Sequence, residues 1–264
     1  MALKIGITES TDPSYDTSWR NKITGVDGLI IITKNIRDED MRRLIQDAAD
    51  KKPVIVHATC TGWGGTKIEP NVPELESTMW AIENLIHNGF PARNIVLRLD
   101  PILPTKEGLE RAESVLAALE QLNVHLQSEE QKIVRVRVSV MDNYKHVVKR
   151  FVDKGLLPLY NGKFQADYPE LRKVIDLLGR HSDFEYSACA ETRLVEISKG
   201  MVVAEGCISK KDLDIMELIP DTAYENPQNR KGCHCLACKT ELLAKTNHTC
   251  PLKCLYCYWK RSGE

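Results

Sequence analysis

The sequence has no apolar run approaching the ~20 residues that a membrane helix needs, so no membrane span is predicted. It lacks an excess of either charge: 36 Lys and Arg stand against 37 Asp and Glu, for a formal net charge of −1. That balance argues against a general nucleic-acid binder, leaving only local basic patches, and excludes a strongly acidic solvating protein. The opening MALKIGITES has no basic stretch followed by an apolar one, so no secretory signal is read and a cytoplasmic protein is expected. Internal repeats and low-complexity segments are also missing. The 264 residues, 42% hydrophobic and 28% charged, have the composition of an ordinary folded chain, long enough to bury a core without covalent staples.

Cysteine, by contrast, is plentiful and uneven. Nine occur, and six of them lie from Cys233 onward. An odd, clustered set without a signal segment argues for metal ligation or redox chemistry rather than a disulfide framework.

The rest of the chain alternates strand and helix patterns. Runs rich in β-branched residues at 3–8 and 29–34 read as strands buried on both faces, strand patterns return at 53–58, 94–99 and 132–140, and 184–191 reads as a short apolar strand. Helical spacing is found at 36–50, 73–88 (opened by Pro73), 106–124, 143–153 and 168–180, and more weakly at 191–199 and 209–218. Repeated βα units predict a parallel sheet or barrel. About six units are too few for a closed eight-stranded barrel, so the expected α/β fold is an incomplete (β/α) TIM-like barrel over 1–219. An irregular Cys-rich segment, 220–264, is expected to fold onto its mouth.

In that segment TCPLKCLYCYW places Cys250, Cys254 and Cys257 as Cys-x3-Cys-x2-Cys, with Tyr256 just before the third thiol. Three thiolates on a [4Fe-4S] cubane leave one iron free to chelate a small molecule. A rival reading takes Cys235-x2-Cys238 and Cys254-x2-Cys257 as four ligands of a zinc ribbon. That reading leaves Cys233 and Cys250 without a role.

The Cys-x3-Cys-x2-Cys spacing with its aromatic neighbour resembles the cluster motif of radical S-adenosylmethionine (SAM) enzymes, although that superfamily usually carries it after the first strand. TGWGGTKIEPNVP (61–73), RLDPILPT (98–105), SVMDNY (139–144), SACAE (187–191), GCIS (206–209) and residues 229–259 together resemble a bacterial and phage family of uncharacterised proteins, a domain of unknown function with such a motif at its C-terminus. The resemblance implies that the open iron binds SAM, that the reduced cluster cleaves it to a 5′-deoxyadenosyl radical, and that hydrogen abstraction from a substrate follows. It also implies a small electron donor of flavodoxin or ferredoxin type. By analogy, Gly62, Gly64 and Gly65, in the loop after the third strand, and Thr59 and Tyr256 would contact SAM; a plain turn explains the glycines equally well.

Further candidates follow from position. Side chains at strand C-termini face the mouth of a (β/α) barrel, which selects Arg98, Asp100, Ser139, Asp142 and Glu191 as catalytic candidates. Arg98 could clamp a carboxylate, and Asp100 or Glu191 could bind hydroxyls or an amine; salt bridges and helix caps are the plain alternatives. Cys189, Cys207, Cys233 and Cys235 end segments expected to converge on the same rim and are candidates for a second [4Fe-4S] cluster, or else Cys189 and Cys207 are buried core residues. Cys60 and His57 read as core, and His234 as a weak metal candidate. Two non-enzymatic readings stand beside the enzyme: a zinc-ribbon-tailed binding protein using KTELLAKTNH and YWKR, and an iron–sulfur electron carrier without SAM chemistry. The enzyme reading requires the tail to lie at the C-terminal ends of the strands, near Arg98, Ser139 and Glu191.

Overall fold

Strand propensity and helix capping divide the chain much as its patterning predicts. The computed structural model describes residues 2–126, 128–156, 159–218, 224–243 and 250–259. The 219/220 boundary expected between barrel and tail, residues 244–248 of KTELLAKTNH and Lys260 to Glu264 lie outside the described residues. The strands are β1 (Ile5–Ile7), β2 (Gly28–Thr33), β3 (Val54–Thr59), β4 (Ile95–Ile102), β5 (Arg135–Val140), β6 (Glu185–Ala188), β7 (Val202–Ala204) and β8 (Lys239–Glu241). The helices are α1 (Glu39–Ala49), α2 (Leu75–His87), α3 (Lys106–His125), α4 (Lys145–Asp153), α5 (Tyr168–Arg180), α6 (Thr192–Ser198) and α7 (Lys210–Ile215). No helix among the described residues is long and apolar enough to cross a membrane.

All eight strands form one parallel sheet in the order β7-β6-β5-β4-β3-β2-β1-β8. This is an α/β fold with two more strands than the six expected. Both extra strands, β7 and β8, have only three residues and, unlike the equally short β1 within 3–8, no longer β-branched run around them; β8 lies inside the segment expected to be irregular. Its register against β1 (Ile5 opposite Lys239, Ile7 opposite Glu241) turns part of the Cys-rich segment into sheet.

Helix starts are set by caps. The Asp38 carboxylate accepts the Met41 N–H (2.8 Å), so α1 starts at Glu39 rather than at the expected position 36. Thr105 caps α3 through Gly108 (3.0 Å), and Ser209 with Asp212 forms a capping box on α7. Pro73 does not open α2, which begins at Leu75; its carbonyl lies instead against Gly64 of the loop after β3.

Because strand side chains alternate, each strand serves two separate cores. Leu29, Ile31, Val54, Val56, Leu97, Val136 and Val138 pack against the helices. Ile5, Ile7, Ile30, Ile55 and Val96 point to the other face, where they meet Ile208, Leu213, Met216 and Leu236. That inner face turns charged toward β5: parallel registers set Thr59 beside Arg98 and Arg98 beside Arg137.

Buried charges survive there only because they are paired. Arg135 meets the fully buried Asp212 at 2.5 Å, and Arg137 meets Glu205 at 2.7 Å and the Gly206 carbonyl. Removing one member of such a pair strands the other charge without water. Asp212→Ala is therefore expected to lower unfolding free energy by about 3–5 kcal/mol in urea titration, part of it from the lost α7 cap. A loss below about 1 kcal/mol would show the pair to be dispensable.

Candidate functional site

The C-terminal segment from Cys250 to Trp259 lies on the loops that leave β3, β4 and β5. Leu252, Cys254, Leu255 and Tyr256 share an apolar cluster with Trp63, Ile68, Leu103, Met141 and Phe151. Main-chain bonds fix it: the Leu255 N–H donates to the Ile68 carbonyl (2.9 Å), and the Asn71 amide donates to the Pro251 carbonyl (2.6 Å). From α4, Arg150 donates to the Leu255 carbonyl (2.8 Å) and to that of Cys257, and His146 bonds the Tyr258 carbonyl (2.9 Å). The Tyr258 ring stacks on Tyr144, with centroids 5.7 Å apart.

The polar anchor of this docking is Glu69, a fully buried acid in the loop after β3. Its carboxylate accepts hydrogen bonds from the Thr61 hydroxyl (2.7 Å), the Lys34 ammonium (2.9 Å) and the Tyr256 phenol. Lys34 also donates to the Tyr256 oxygen (2.7 Å), so the aromatic before the third thiol is held in a three-membered network. Burial works against the Lys34 charge, but Glu69, with Cys254 and Asp100, outweighs it and raises the pKa of Lys34. Neither Lys34 nor Glu69 stands out in sequence. Lys34 follows the apolar β2, and the strand-end rule that selects Arg98 would also have found it. Glu69 is ten residues beyond β3, with no local signal.

Cys250, Cys254 and Cys257 are joined by two tight turns, with the Lys253 N–H bonding the Cys250 carbonyl (3.3 Å) and the Cys257 N–H the Cys254 carbonyl (3.4 Å). Burial pushes the Cys254 thiol up, opposed by Lys34. The three sulfurs are not all within 4.8 Å of one another.

Arg98 and Asp100 form an ion pair, and Asp100 accepts a 2.5 Å bond from the Ser139 hydroxyl. Burial disfavours the Asp100 charge, yet Arg98 and Ser139 prevail and hold its carboxyl below the ordinary range. Arg98 keeps its Nε and Nη1 groups buried without a hydrogen-bond partner. Thr59 is buried next to Arg98 in the register. His57, fully buried on the same inner face, has no partner for either ring nitrogen; burial, with Arg137, Arg98 and Arg135, keeps it neutral.

The Glu191 carboxylate side chain accepts the Val140 N–H (3.0 Å), bringing β5 and the start of α6 together. Burial pushes its carboxyl up to about 8, with Asp142 and Asp100 adding to the effect. Asp142 is itself raised by burial. Its charge repels that of Glu191 and its side chain bonds Gln165, and no direct bond joins it to Arg98 or Ser139 among the described residues.

The glycine loop has a conformational explanation. Gly62 and Gly65 have φ of +76° and +74°, and a Cβ on Gly64 would lie 1.9 Å from the Pro73 carbonyl oxygen. The Gly62 carbonyl accepts Arg111 (2.8 Å), and only Gly65 of the three lines a cleft of about 430 Å³, with Tyr15, Asn35, Arg37 and Asn71. Cys60 is buried and its thiol raised to about 12, as a core residue requires.

A second set of thiols is gathered closely. The Sγ atoms of Cys189, Cys233 and Cys235 all lie within 4.8 Å of one another, the one such ligand group among the described residues. Cys189 to Cys233 is 3.7 Å and Cys189 to Cys235 is 4.0 Å. Cys207 donates its main-chain N–H to the Cys235 sulfur (3.1 Å). His234 turns instead to Glu225 (3.0 Å) and takes no part in that group. The four thiols proposed for a zinc ribbon do not meet: Cys235 and Cys238 pack in one apolar cluster, Cys254 and Cys257 in another.

Fold and site together define an α/β protein whose parallel sheet carries two separate groups of cysteines. The family model for a domain of unknown function, DUF1848, matches residues 2–259, and the chain belongs to that family. No curated protein matches it.

Glu191 offers a test of the site's electrostatics. A carboxyl raised by folding contributes stability that is complete below its ordinary value of 4.5 and is lost as pH rises through about 8. Denaturation profiles of wild type and Glu191→Gln are expected to diverge across that window, with the variant gaining relative stability toward the alkaline end. Parallel profiles would show that Glu191 titrates normally.

Proposed function

We propose that the protein is a radical SAM enzyme on a TIM-like barrel, in which Cys250, Cys254 and Cys257 bind a [4Fe-4S] cluster at the mouth. The observation that carries this reading is the Cys-x3-Cys-x2-Cys segment lying at the C-terminal ends of β3 to β5, anchored through Tyr256 to Glu69 and Lys34. The sequential strand order, with β8 returning beside β1, suits a barrel.

The donor set fits the group in number and chemistry: three thiols, carried on two tight turns, whose sulfurs do not close into a group within 4.8 Å as ligands of a single ion would. Such a cluster, when bound, supplies an electron to SAM. The chain's own residues would do the rest. Tyr256 is held rigid beside the third thiol, and the buried Nε and Nη1 groups of Arg98, without a hydrogen-bond partner and on different edges of the guanidinium, are donors for separate acceptor atoms of a ligand. Asp100, fixed by Ser139, keeps the guanidinium in place. The cleft lined by Tyr15, Gly65 and Asn71 adjoins the tail, since the Asn71 amide donates to the Pro251 carbonyl (2.6 Å). All nine cysteines are free thiols, which suits a reducing, cytoplasmic setting and a small electron-donor partner.

Two observations weigh against a zinc-ribbon module: its two Cys pairs sit in different clusters, and the tail is spent on the barrel rim. Anaerobic reconstitution followed by dithionite and SAM separates the readings. Wild type is expected to bind about four iron and four sulfide at the tail and to yield 5′-deoxyadenosine, while Cys254→Ala loses both. Iron without SAM cleavage would leave an electron carrier; a tail that binds no iron would refute the proposal.

A further inference from the structure

We propose that Cys189, Cys207, Cys233 and Cys235 form a mononuclear four-thiolate zinc site that ties the two ends of the sheet together, in place of the second cubane expected from sequence. The spacing carries the argument. Four thiolates on one tetrahedral Zn²⁺, with Zn–S near 2.3 Å, stand ~3.8 Å apart. The observed separations are 3.7 Å for Cys189 to Cys233 and 4.0 Å for Cys189 to Cys235. A cubane holds each thiolate on a different iron and needs them farther apart. A disulfide needs bonded sulfurs ~2 Å apart. The fourth thiol, Cys207, is set beside this group by its main-chain N–H on the Cys235 sulfur (3.1 Å); its own sulfur is not within 4.8 Å of all three others and would close onto the ion.

The surrounding backbone is built to hold these sulfurs. Ala190, just after Cys189, takes the left-handed φ of 61° and donates its N–H to the Gly232 carbonyl (3.0 Å), seating Cys233 beside Cys189. Gly232 has φ of +76°, and Gly206 has no room for a side chain, since a Cβ would meet the His234 carbonyl at 2.4 Å and the Cys235 backbone at 2.5 Å. That close approach lets the Cys207 N–H reach the Cys235 sulfur, the kind of bond that steadies a metal-bound thiolate. The Asn229 amide bonds the Cys233 and Cys235 carbonyls at 3.1 and 2.8 Å.

The location gives the site its purpose. Cys189 ends β6, Cys207 follows β7, and Cys233 and Cys235 precede β8. The sheet order leaves β7 and β8 as its two edges, with no ladder between them. Single backbone bonds, Leu236 N–H to Ile208 and Ala190 N–H to Gly232, join the flanking segments; the metal would add the connection that a ladder does not supply, and four protein ligands leave no open position for substrate, as in structural zinc sites. This inference is independent of cluster binding by the tail.

Full-length protein, purified and then reconstituted anaerobically with iron and sulfide, is expected to keep about one zinc per chain. Cys254→Ala should retain that zinc, whereas Cys189→Ser and Cys233→Ser should lose it while the tail's iron remains. Because those variants risk misfolding, wild type is also titrated with Co²⁺ in place of zinc, and the intense visible bands of tetrahedral cobalt thiolate are expected. Iron and sulfide at twice the amount of one cubane with no zinc, zinc retained in Cys189→Ser and Cys233→Ser, or cobalt spectra without those bands would each overturn the proposal. Loss of tail iron alone would count against the radical SAM reading and not against this one.

Discussion

Glu69 is an acid with no exposure to water, and burying its charge is costly unless donors surround it. Those donors come from three places far apart in sequence: Lys34 after β2, Thr61 after β3 and Tyr256 in the C-terminal segment. Two belong to the sheet and its loops, so the carboxylate can be satisfied fully only when the C-terminal segment comes to it. The position of Cys254 and Cys257 follows from this requirement together with the apolar cluster around Trp63 and Leu255. The glycines of the 61–65 loop serve the same end, since Gly64 admits the Pro73 carbonyl and so shapes the loop that presents Glu69.

A second constraint runs along the inner face of the sheet. Apolar layers on β1 to β4 give way to Arg98, Arg135 and Arg137, whose partners are Asp100 within β4, Asp212 on α7 and Glu205 just past β7. These pairs draw the chain after β7 inward, setting Gly206 and Cys207 against Cys235. The two thiol groups thus depend on different interactions: the tail group on Glu69, the inner group on the arginine pairs and close backbone contacts at Gly206 and Ala190.

Much of the fold was legible in sequence because β-branched runs buried on both faces and capped helices leave strong local signals. Six of the eight strands and the seven α-helices of the described residues fall where the patterning put them, within a few residues at each end. β7 and β8, unlike the equally short β1, have no longer β-branched run around them and were missed, and an aspartate cap and a packed proline moved the starts of α1 and α2. At the site, the cysteines and the strand-end residues Arg98, Asp100, Ser139 and Glu191 were readable because chemistry and position both mark them. Glu69 was not, since two of its three partners, Lys34 and Tyr256, lie more than thirty residues away on either side. Nor could the sequence separate a cubane from a single ion at Cys189, Cys233 and Cys235; that depends on distances which only the folded chain sets.

The most direct test of this account is amide hydrogen exchange in Glu69→Ala. If the buried carboxylate network docks the C-terminal segment, the Leu255 and Cys257 amides should lose protection by at least tenfold, corresponding to about 1.4 kcal/mol or more, while β2 to β5 keep theirs. Unchanged protection at Leu255 and Cys257 would mean that the apolar cluster alone holds the tail and would contradict the central role given to Glu69.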